Sequence, residues 1–399
     1  MFVHSAGTLL RTTTTTLIAL VLLLLAVPPT RSQWLSKEVA RWAVAEFERM
    51  EAERVRAGVR GTDRRAAYPF VSGDGFREYC SPHVCEDYNR CRMDPTKVKD
   101  GECIFVKSDL FDFFGKEVAR RVAGKYVVVS HNGDLSAPDG QSDVGGLGMP
   151  RYVTSDILRD EYERGRLLGL HAQNLWWTNS TKGQPRPAFM HCLPIGFENR
   201  QYKIGSRVRL YADALREHVI NKPTKTPEER DKMPLLLVAF YPKSRVPDRR
   251  KVLTALGALP QRGQEKPKNP FYNETDLSHA EWLASVNEHK FVLSPFGHGL
   301  DTHRVTEVLL MGGIPVMRKS TISSCWDDTD NVLNGVTRGS LPIVLLDSWA
   351  NLTKDRLDRE WERLSKLPQS TWDYKRLFME HWLRRLGATQ NVTLPKPPL

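Results

Sequence analysis

The segment 291–317 holds the residues whose types and spacing best suit chemistry, and it reads FVLSPFGHGLDTHRVTEVLLMGGIPVM. A predicted buried strand leads into a loop with Gly297 and Gly299, and then into a helix that Asp301 or Thr302 can cap. Glycines let backbone N–H groups approach an anion closely, and a helix start adds free N–H donors and a favourable dipole. Because such units bind ligands beyond the carboxyl ends of their strands, the segment predicts an anion site.

Arg304 and Glu307 lie three residues apart and share one face of the predicted helix. A guanidinium in the first turn can hold a diphosphate through two hydrogen bonds, and a carboxylate one turn deeper can accept hydrogen bonds from two ribose hydroxyls. The pair therefore predicts a nucleoside diphosphate site. A plain surface ion pair, worth about 0.3–0.5 kcal/mol, is the alternative, and the glycine loop and His303 beside Arg304 disfavour it. His298 and His303 are expected either to bind phosphate or to cap the loop.

A second polar loop follows the predicted strand 126–130 (YVVVS) and contains His131 and Asp134. An imidazole or a carboxylate at the end of a buried strand suits a general base, so both residues are candidates for catalysis. The alternative is a turn whose side chains only bond to their own backbone.

Residues 290–317 resemble the nucleotide-sugar-binding segment of exostosin-like glycosyltransferases. The residues that carry the resemblance are Ser294, Pro295, Gly297, Gly299, Arg304, Glu307, Gly313, Ile314, Pro315 and Val316. It extends more weakly to 126–134, 191–200 and 341–349, and altogether spans most of 105–385. The chain departs from the family in its single catalytic-like module and in a longer loop around Asp301, so the identity of the donor is not carried over.

The resemblance implies an α/β fold of the GT-B type, with two Rossmann-like lobes and a ligand cleft between them. It implies transfer of a sugar from a nucleotide sugar, for which we expect a UDP-sugar, to a glycan or glycoprotein acceptor. The expected nucleotide-sugar-binding residues are Ser294, Gly297, Gly299, Asp301, His303, Arg304 and Glu307. The expected catalytic residues are His131 and Asp134. We expect no obligatory cofactor or metal, because the loop amides and Arg304 can stabilise the leaving diphosphate, and Asp327-Asp328 does not follow a hydrophobic strand.

The alternative function is a non-catalytic lectin-like or scaffold protein that retains the fold. Nucleic acid is not an expected partner: the formal charge is +11, but 58 basic residues are interspersed with 47 acidic ones. With 40% hydrophobic and 26% charged residues, the composition is typical of a globular protein and excludes a coiled-coil rod or a multi-span membrane protein.

The N-terminal run 17–27 (LIALVLLLLAV) predicts either a cleaved signal peptide or a short signal anchor. Both alternatives direct the remaining chain into the secretory pathway, in the lumen of the Golgi or endoplasmic reticulum. A cleaved signal peptide gives a soluble protein, whereas a retained anchor gives a type II membrane protein with the membrane as a partner. Candidate glycosylation sites are Asn179, Asn273, Asn351 and Asn391. Cys80, Cys85, Cys91 and Cys103 predict two disulfides with three possible pairings. Cys192 and Cys325 are expected to be either buried thiols or a long-range bridge.

Strands alternate with helices along the second half, which predicts a parallel sheet covered on both faces. Predicted strands lie at 126–130, 193–197, 235–241, 291–294, 314–317 and 343–347. The expected organisation is a targeting segment (1–33), a stem or docking helix (34–68), an N-terminal acceptor-side lobe (69–220), a linker (221–233), a C-terminal nucleotide-sugar-binding lobe (234–368), and a C-terminal helix with a mobile tail (369–399).

Overall fold

The structure is a computed structural model of the 399-residue chain. It describes residues 35–58, 67–87, 91, 93–138, 154–177, 185–199, 207–240, 246–257, 277–326, 332–333, 336–337 and 340–390. The predicted targeting segment, the tail beyond 390 and the sequons at Asn179, Asn273 and Asn391 lie outside the described residues. Asn351 is described and lies exposed in a 3₁₀ turn.

The first half of the chain forms a parallel sheet of five strands that lie side by side in sequence order. The strands are β1 (Val84–Cys85), β2 (Glu102–Lys107), β3 (Tyr126–His131), β4 (Leu167–Ala172) and β5 (Met190–Cys192). Every residue of the central strand β3 is buried, as expected for a continuous apolar run covered on both faces. This confirms the strand predicted at 126–130.

The second half forms a parallel sheet of four strands, in the spatial order β9-β8-β7-β6. Its strands are β6 (Leu236–Leu237), β7 (Phe291–Leu293), β8 (Ile314–Arg318) and β9 (Val344–Leu346). Two further pairs of two-residue strands are Ala137–Pro138 with Leu175–Trp176, and Val332–Leu333 with Val336–Thr337. The α/β class with parallel sheets is thereby confirmed, whereas the arrangement in two lobes with a cleft stays a prediction.

Ten helices connect or cover these strands in the part of the chain that is described. They are α1 (Lys37–Arg56), α2 (Gly73–Tyr79), α3 (Thr154–Glu163), α4 (Arg209–Ala214), α5 (Pro227–Asp231), α6 (Pro247–Ala255), α7 (His279–Asn287), α8 (His303–Leu310), α9 (Lys354–Ser365) and α10 (Met379–Gln390). Short turns of 3₁₀, α and π helix fill Ser108–Leu110 through Ala119–Arg121, where the sequence shows helical spacing.

The first helix packs onto the body of the protein. Ser36 caps α1 by accepting a hydrogen bond from the Val39 amide, and the helix buries Ala40, Ala43, Val44 and Phe47. The ring of Phe47 lies 6.1 Å from that of Phe70, centroid to centroid. The buried face of α1 therefore docks onto the rest of the protein.

One predicted element is wrong. The strand expected at 193–197 does not form; the strand ends at Cys192, because Pro194 lacks an amide donor and Gly196 adopts a φ of +68° where it passes the Val71 carbonyl. The expected linker 221–233 contains α5 with a Thr226–Glu229 capping box, and its role between two domains stays a prediction.

The C-terminal helix α10 returns to the N-terminal sheet. Thr389 Oγ1 lies 3.0 Å from His171 Nε2 in β4, and Gln390 bonds with the Tyr79 hydroxyl and the Gly101 carbonyl. The C-terminal helix therefore packs against the sheet formed by the first half of the chain.

Three disulfides are present: Cys80–Cys103, Cys85–Cys91 and Cys192–Cys325. The first two select one of the three pairings left open by the sequence, and the third is the long-range bridge. Within the described ranges, no helix has the length and apolar character needed to cross a bilayer.

Candidate functional site

The loop between β7 and α8 lies at the carboxyl edge of the C-terminal sheet and is held by hydrogen bonds at both ends. Ser294 continues the sheet through its amide to the Val316 carbonyl, and its hydroxyl bonds to the Val292 carbonyl. Ser294 is buried, so this side chain shapes the loop from inside. The Phe296 amide donates to Asp248 Oδ2 at 3.1 Å, which fixes the turn directly before Gly297.

Position 299 requires glycine because the side chain of Asn174 lies very close to it. A Cβ at this position would lie 2.4 Å from Asn174 Nδ2 and 2.9 Å from Asn174 Oδ1. Any side chain would therefore push the loop away from the buried Asn174 of the N-terminal half. We expected Gly299 to leave space for a ligand, but the space is filled by the side chain of Asn174.

Arg304 lies in the first turn of α8, and its guanidinium has an unused donor. Its Cζ lies 4.1 Å from the centroid of the Trp282 ring. Its Nη1 is buried and has no hydrogen-bond partner among the described residues. Burial lowers the pKa of Arg304 to about 10, while Glu307 favours the charged form and Arg249 opposes it. A desolvated cation with an unused donor is the electrostatic setting of an anion site.

The start of α8 contributes a second unused donor. Thr302 is the N-cap, but its side chain makes no capping bond, and its Oγ1 is buried without a partner among the described residues. A methyl group of Thr302 would lie 3.2 Å from a Cβ added to Gly297. Gly297 therefore lies next to the start of α8, whose first turn contains Arg304.

Glu307 occupies a different setting from the ribose site that we expected. It is buried, with Oε1 2.9 Å from both the Tyr211 hydroxyl and His279 Nε2, and Oε2 2.9 Å from Trp282 Nε1. Burial alone would raise the pKa of Glu307, but these three hydrogen bonds outweigh it and hold the pKa below its ordinary value. In this arrangement, Glu307 fixes the indole that stacks against Arg304. Its predicted contact with ribose stays a prediction, and the described geometry favours a positioning role instead.

Asp301 and His303 connect the loop to the N-terminal half. Asp301 Oδ2 accepts from the Ile195 amide at 2.7 Å and Oδ1 from the Thr302 amide at 2.8 Å. His303 Nδ1 lies 2.8 Å from the Gly196 carbonyl oxygen. Burial raises the pKa of Asp301 to about 7. Both residues therefore have protein partners at the atoms that were expected to meet a ligand, whereas His298 is exposed.

The two candidate catalytic residues differ in accessibility. His131 is buried, with Nε2 3.1 Å from the Pro194 carbonyl and Nδ1 accepting from the Asn132 amide at 2.8 Å. Burial lowers the pKa of His131 to about 4, so the ring is neutral at neutral pH. Asp134 is exposed. Of the two, only Asp134 is free to reach a substrate in this arrangement; the catalytic role of either residue stays a prediction.

Asn174 brings the two candidate loops together, and sequence reasoning missed it. Its Oδ1 accepts from the Asp301 amide at 2.9 Å, and its Nδ2 lies 3.3 Å from the Gly133 carbonyl and 3.4 Å from the Asp134 carbonyl. Asn174 has a φ of +48°, which asparagine tolerates better than most residues. The available signal was a polar Gln173-Asn174 pair directly after an apolar strand.

Asp248, at the start of α6, was also missed. Asp248 accepts hydrogen bonds from the Phe296 amide, Arg318 Nε and Trp349 Nε1, and is buried. Its neighbour Arg249 belongs to a group of basic residues after the predicted strand 235–241 that could reach phosphate, although the sequence favours a solvated basic face; in the structure Arg249 is half-buried. The sequence signal was an Asp-Arg pair at a helix start after a strand, which is also common on surfaces.

Among the described residues, no group of three or more His, Cys, Asp or Glu side chains is placed to hold a metal ion. Asp328-Thr329-Asp330 has the spacing of a metal-binding Asp-x-Asp motif, and it lies outside the described residues. Independence from metal therefore stays a prediction.

A family model of the RXYLT1 C-terminal domain matches residues 218–386, which is less than half of the chain. The domain is related to the exostosin family, so the match is consistent with an exostosin-like glycosyltransferase and indicates a glycosyltransferase-type function. The matched range contains the loop after β7, Trp282, Arg304 and Glu307. A comparison with curated protein sequences found no match.

Proposed function

We propose that this protein transfers a sugar from a nucleoside diphosphate sugar, in the first place a UDP-sugar, to a glycan or glycoprotein acceptor in the secretory pathway. The single observation that supports this best is the buried Nη1 of Arg304, which has no hydrogen-bond partner among the described residues and lies in the first turn of α8, next to an N-cap whose side chain makes no capping bond. A diphosphate leaving group supplies the anion that these donors lack.

The proposed mechanism rests on electrostatic stabilisation of the leaving diphosphate. Negative charge develops on the phosphate oxygen as the bond to the sugar breaks, and fixed donors aimed at that oxygen lower the barrier. Trp282 and Glu307 hold the Arg304 guanidinium in place before the donor binds, so that little reorganisation is needed.

The acceptor is proposed to approach from the N-terminal half, in a two-lobed arrangement of the GT-B type. Asn174 links the backbone of Asp134 to that of Asp301, so an exposed carboxylate lies on the loop next to the proposed donor site. Asp134 would take the proton from the acceptor hydroxyl, and His131 would support its loop from the interior.

The test compares binding of UDP to the wild-type ectodomain and to Arg304→Ala by calorimetry, followed by transfer assays with a panel of donors. Arg304→Ala is expected to weaken UDP binding by about 1.5–3 kcal/mol, the range for a hydrogen bond to a charged group. Arg250→Ala is the matched control, because Arg250 is exposed. Unchanged affinity in a folded Arg304→Ala protein would refute the site. Binding of UDP without transfer from any donor would support the scaffold alternative.

A further inference from the structure

A second guanidinium faces the same loop as Arg304. The side chain of Arg249 is half-buried, and its Nη2 lies 4.0 Å from the position that a Cβ on Gly297 would occupy. Arg249 is also close enough to Arg304 for its charge to oppose ionisation of that residue. The side chain of Arg249 therefore lies next to Gly297, and its charge acts on Arg304 in the helix that follows.

Arg249 also lacks a partner for one of its donors. Its Nε is buried and makes no hydrogen bond to a described residue. Burial lowers the pKa of Arg249 below its ordinary value. The neighbouring carboxylate does not compensate for this, because Asp248 accepts from Phe296, Arg318 and Trp349 instead.

Two desolvated cations that repel each other and share no described anion are unfavourable in the free protein. An anion between them would replace the lost hydration and cancel the repulsion. A diphosphate carries two phosphate groups, and each can accept hydrogen bonds from one guanidinium. The spacing around Gly297 suits this arrangement, because a residue without a side chain leaves the space beside Arg249 open.

We propose that Arg249 is a second diphosphate-binding residue and acts with Arg304 as a two-arginine clamp on the nucleoside diphosphate. The inference rests on the proposed function and adds a residue outside the recognised motif. Asp248 is a positioning residue in this arrangement, since it fixes both the start of α6 and the amide directly before Gly297.

The experiment measures binding of UDP and of inorganic pyrophosphate to the wild type, Arg249→Met, Arg304→Ala and the control Arg250→Met, together with the melting temperature of each free protein. Methionine keeps the apolar stem and removes the charge and donors. We expect Arg249→Met to weaken both ligands at least tenfold, or about 1.4 kcal/mol. The melting temperature of the free variant should be unchanged or higher, because an uncompensated buried charge is removed. Arg250→Met should bind like the wild type.

Each other outcome is informative. If Arg249→Met binds both ligands like the wild type while Arg304→Ala does not, the clamp is refuted and the proposed function stands. If the wild type binds neither UDP nor pyrophosphate, both proposals are refuted. If binding falls but the free Arg249→Met protein melts several degrees lower, Arg249 is a structural residue and the inference is overturned.

Discussion

Replacing Glu307 by glutamine separates two roles for this residue, contact with ribose and positioning of Arg304. The carboxylate accepts three hydrogen bonds, from Tyr211, His279 and Trp282. A glutamine oxygen can keep the two donors at Oε1, but its amide group then faces the Trp282 N–H, which is left without an acceptor. The change therefore disturbs the ring on which Arg304 stacks.

The expected loss of stability follows from these contacts. One hydrogen bond to a charged acceptor is lost at about 1.5–3 kcal/mol, and the two that remain are weakened. We expect a total of about 2–5 kcal/mol, in line with the loss of one partner from a buried ionic cluster. At roughly 1.2 °C per kcal/mol for a chain of 399 residues, the melting temperature should fall by about 2–6 °C.

The assay measures affinity for UDP and for inorganic pyrophosphate, which has no ribose. If Glu307 positions Arg304 through Trp282, Glu307→Gln weakens both ligands to a similar extent. The control is Glu288→Gln, an exposed residue that follows the same helix α7, and it should change neither affinity nor melting temperature. The positioning argument would be refuted by a variant that melts like the wild type, binds pyrophosphate normally and loses affinity only for UDP.

Three further predictions concern the docking helix, the buried Asp301 and the metal requirement. In urea unfolding, Phe47→Ala should destabilise the protein by about 3–5 kcal/mol, because it leaves a cavity at a buried position. The control Val55→Ala, at a position that is 74% exposed, should change the free energy of unfolding by less than about 0.5 kcal/mol. Equal effects of the two variants would show that α1 does not dock. Because the pKa of Asp301 is raised from 3.8 to about 7, its protonated form favours folding below its ordinary pKa, and this contribution is lost as the pH rises through about 7. The wild type should thus lose more stability between pH 5 and 8 than Asp301→Asn, and parallel profiles would contradict the raised pKa. Sugar transfer should persist in EDTA and in Asp328→Asn; activity that EDTA abolishes and Mn²⁺ restores would show that a metal is needed.

The strands and the loop of the candidate site were largely predictable from sequence. Strand β3 is a continuous apolar run, and β7, β8 and α8 follow one another with glycines at the loop and at the helix end. These signals are local, because burial of a strand and the backbone freedom of glycine are determined within a few residues. The same signals placed Arg304 correctly in the first turn of α8.

The partners of the charged residues were not predictable, because they come from distant parts of the chain. Glu307 accepts hydrogen bonds from Tyr211 in α4 and His279 in α7. The spacing between Glu307 and Arg304 in the sequence does not indicate that these residues occupy the carboxylate. Arg249 looked like part of a solvated basic stretch, since the burial of one side chain leaves no pattern in the sequence. The strand expected at 193–197 does not form for a local reason. Its residues are apolar, as in a buried strand, but Pro194 and Gly196 do not continue the hydrogen-bond ladder of the sheet.

The disulfide between Cys192 and Cys325, together with the hydrogen bonds that cross between the two sheets, limits how this protein can be divided. A fragment cut at residues 218 and 386 would leave Cys325 without its partner, and would remove Tyr211, Asn174 and Ile195 from Glu307 and Asp301. The range 218–386, which matches the family model, is therefore not structurally independent of the residues before it. Its contacts at Glu307 and Asp301, and its link through Cys325, depend on the part of the chain that precedes it.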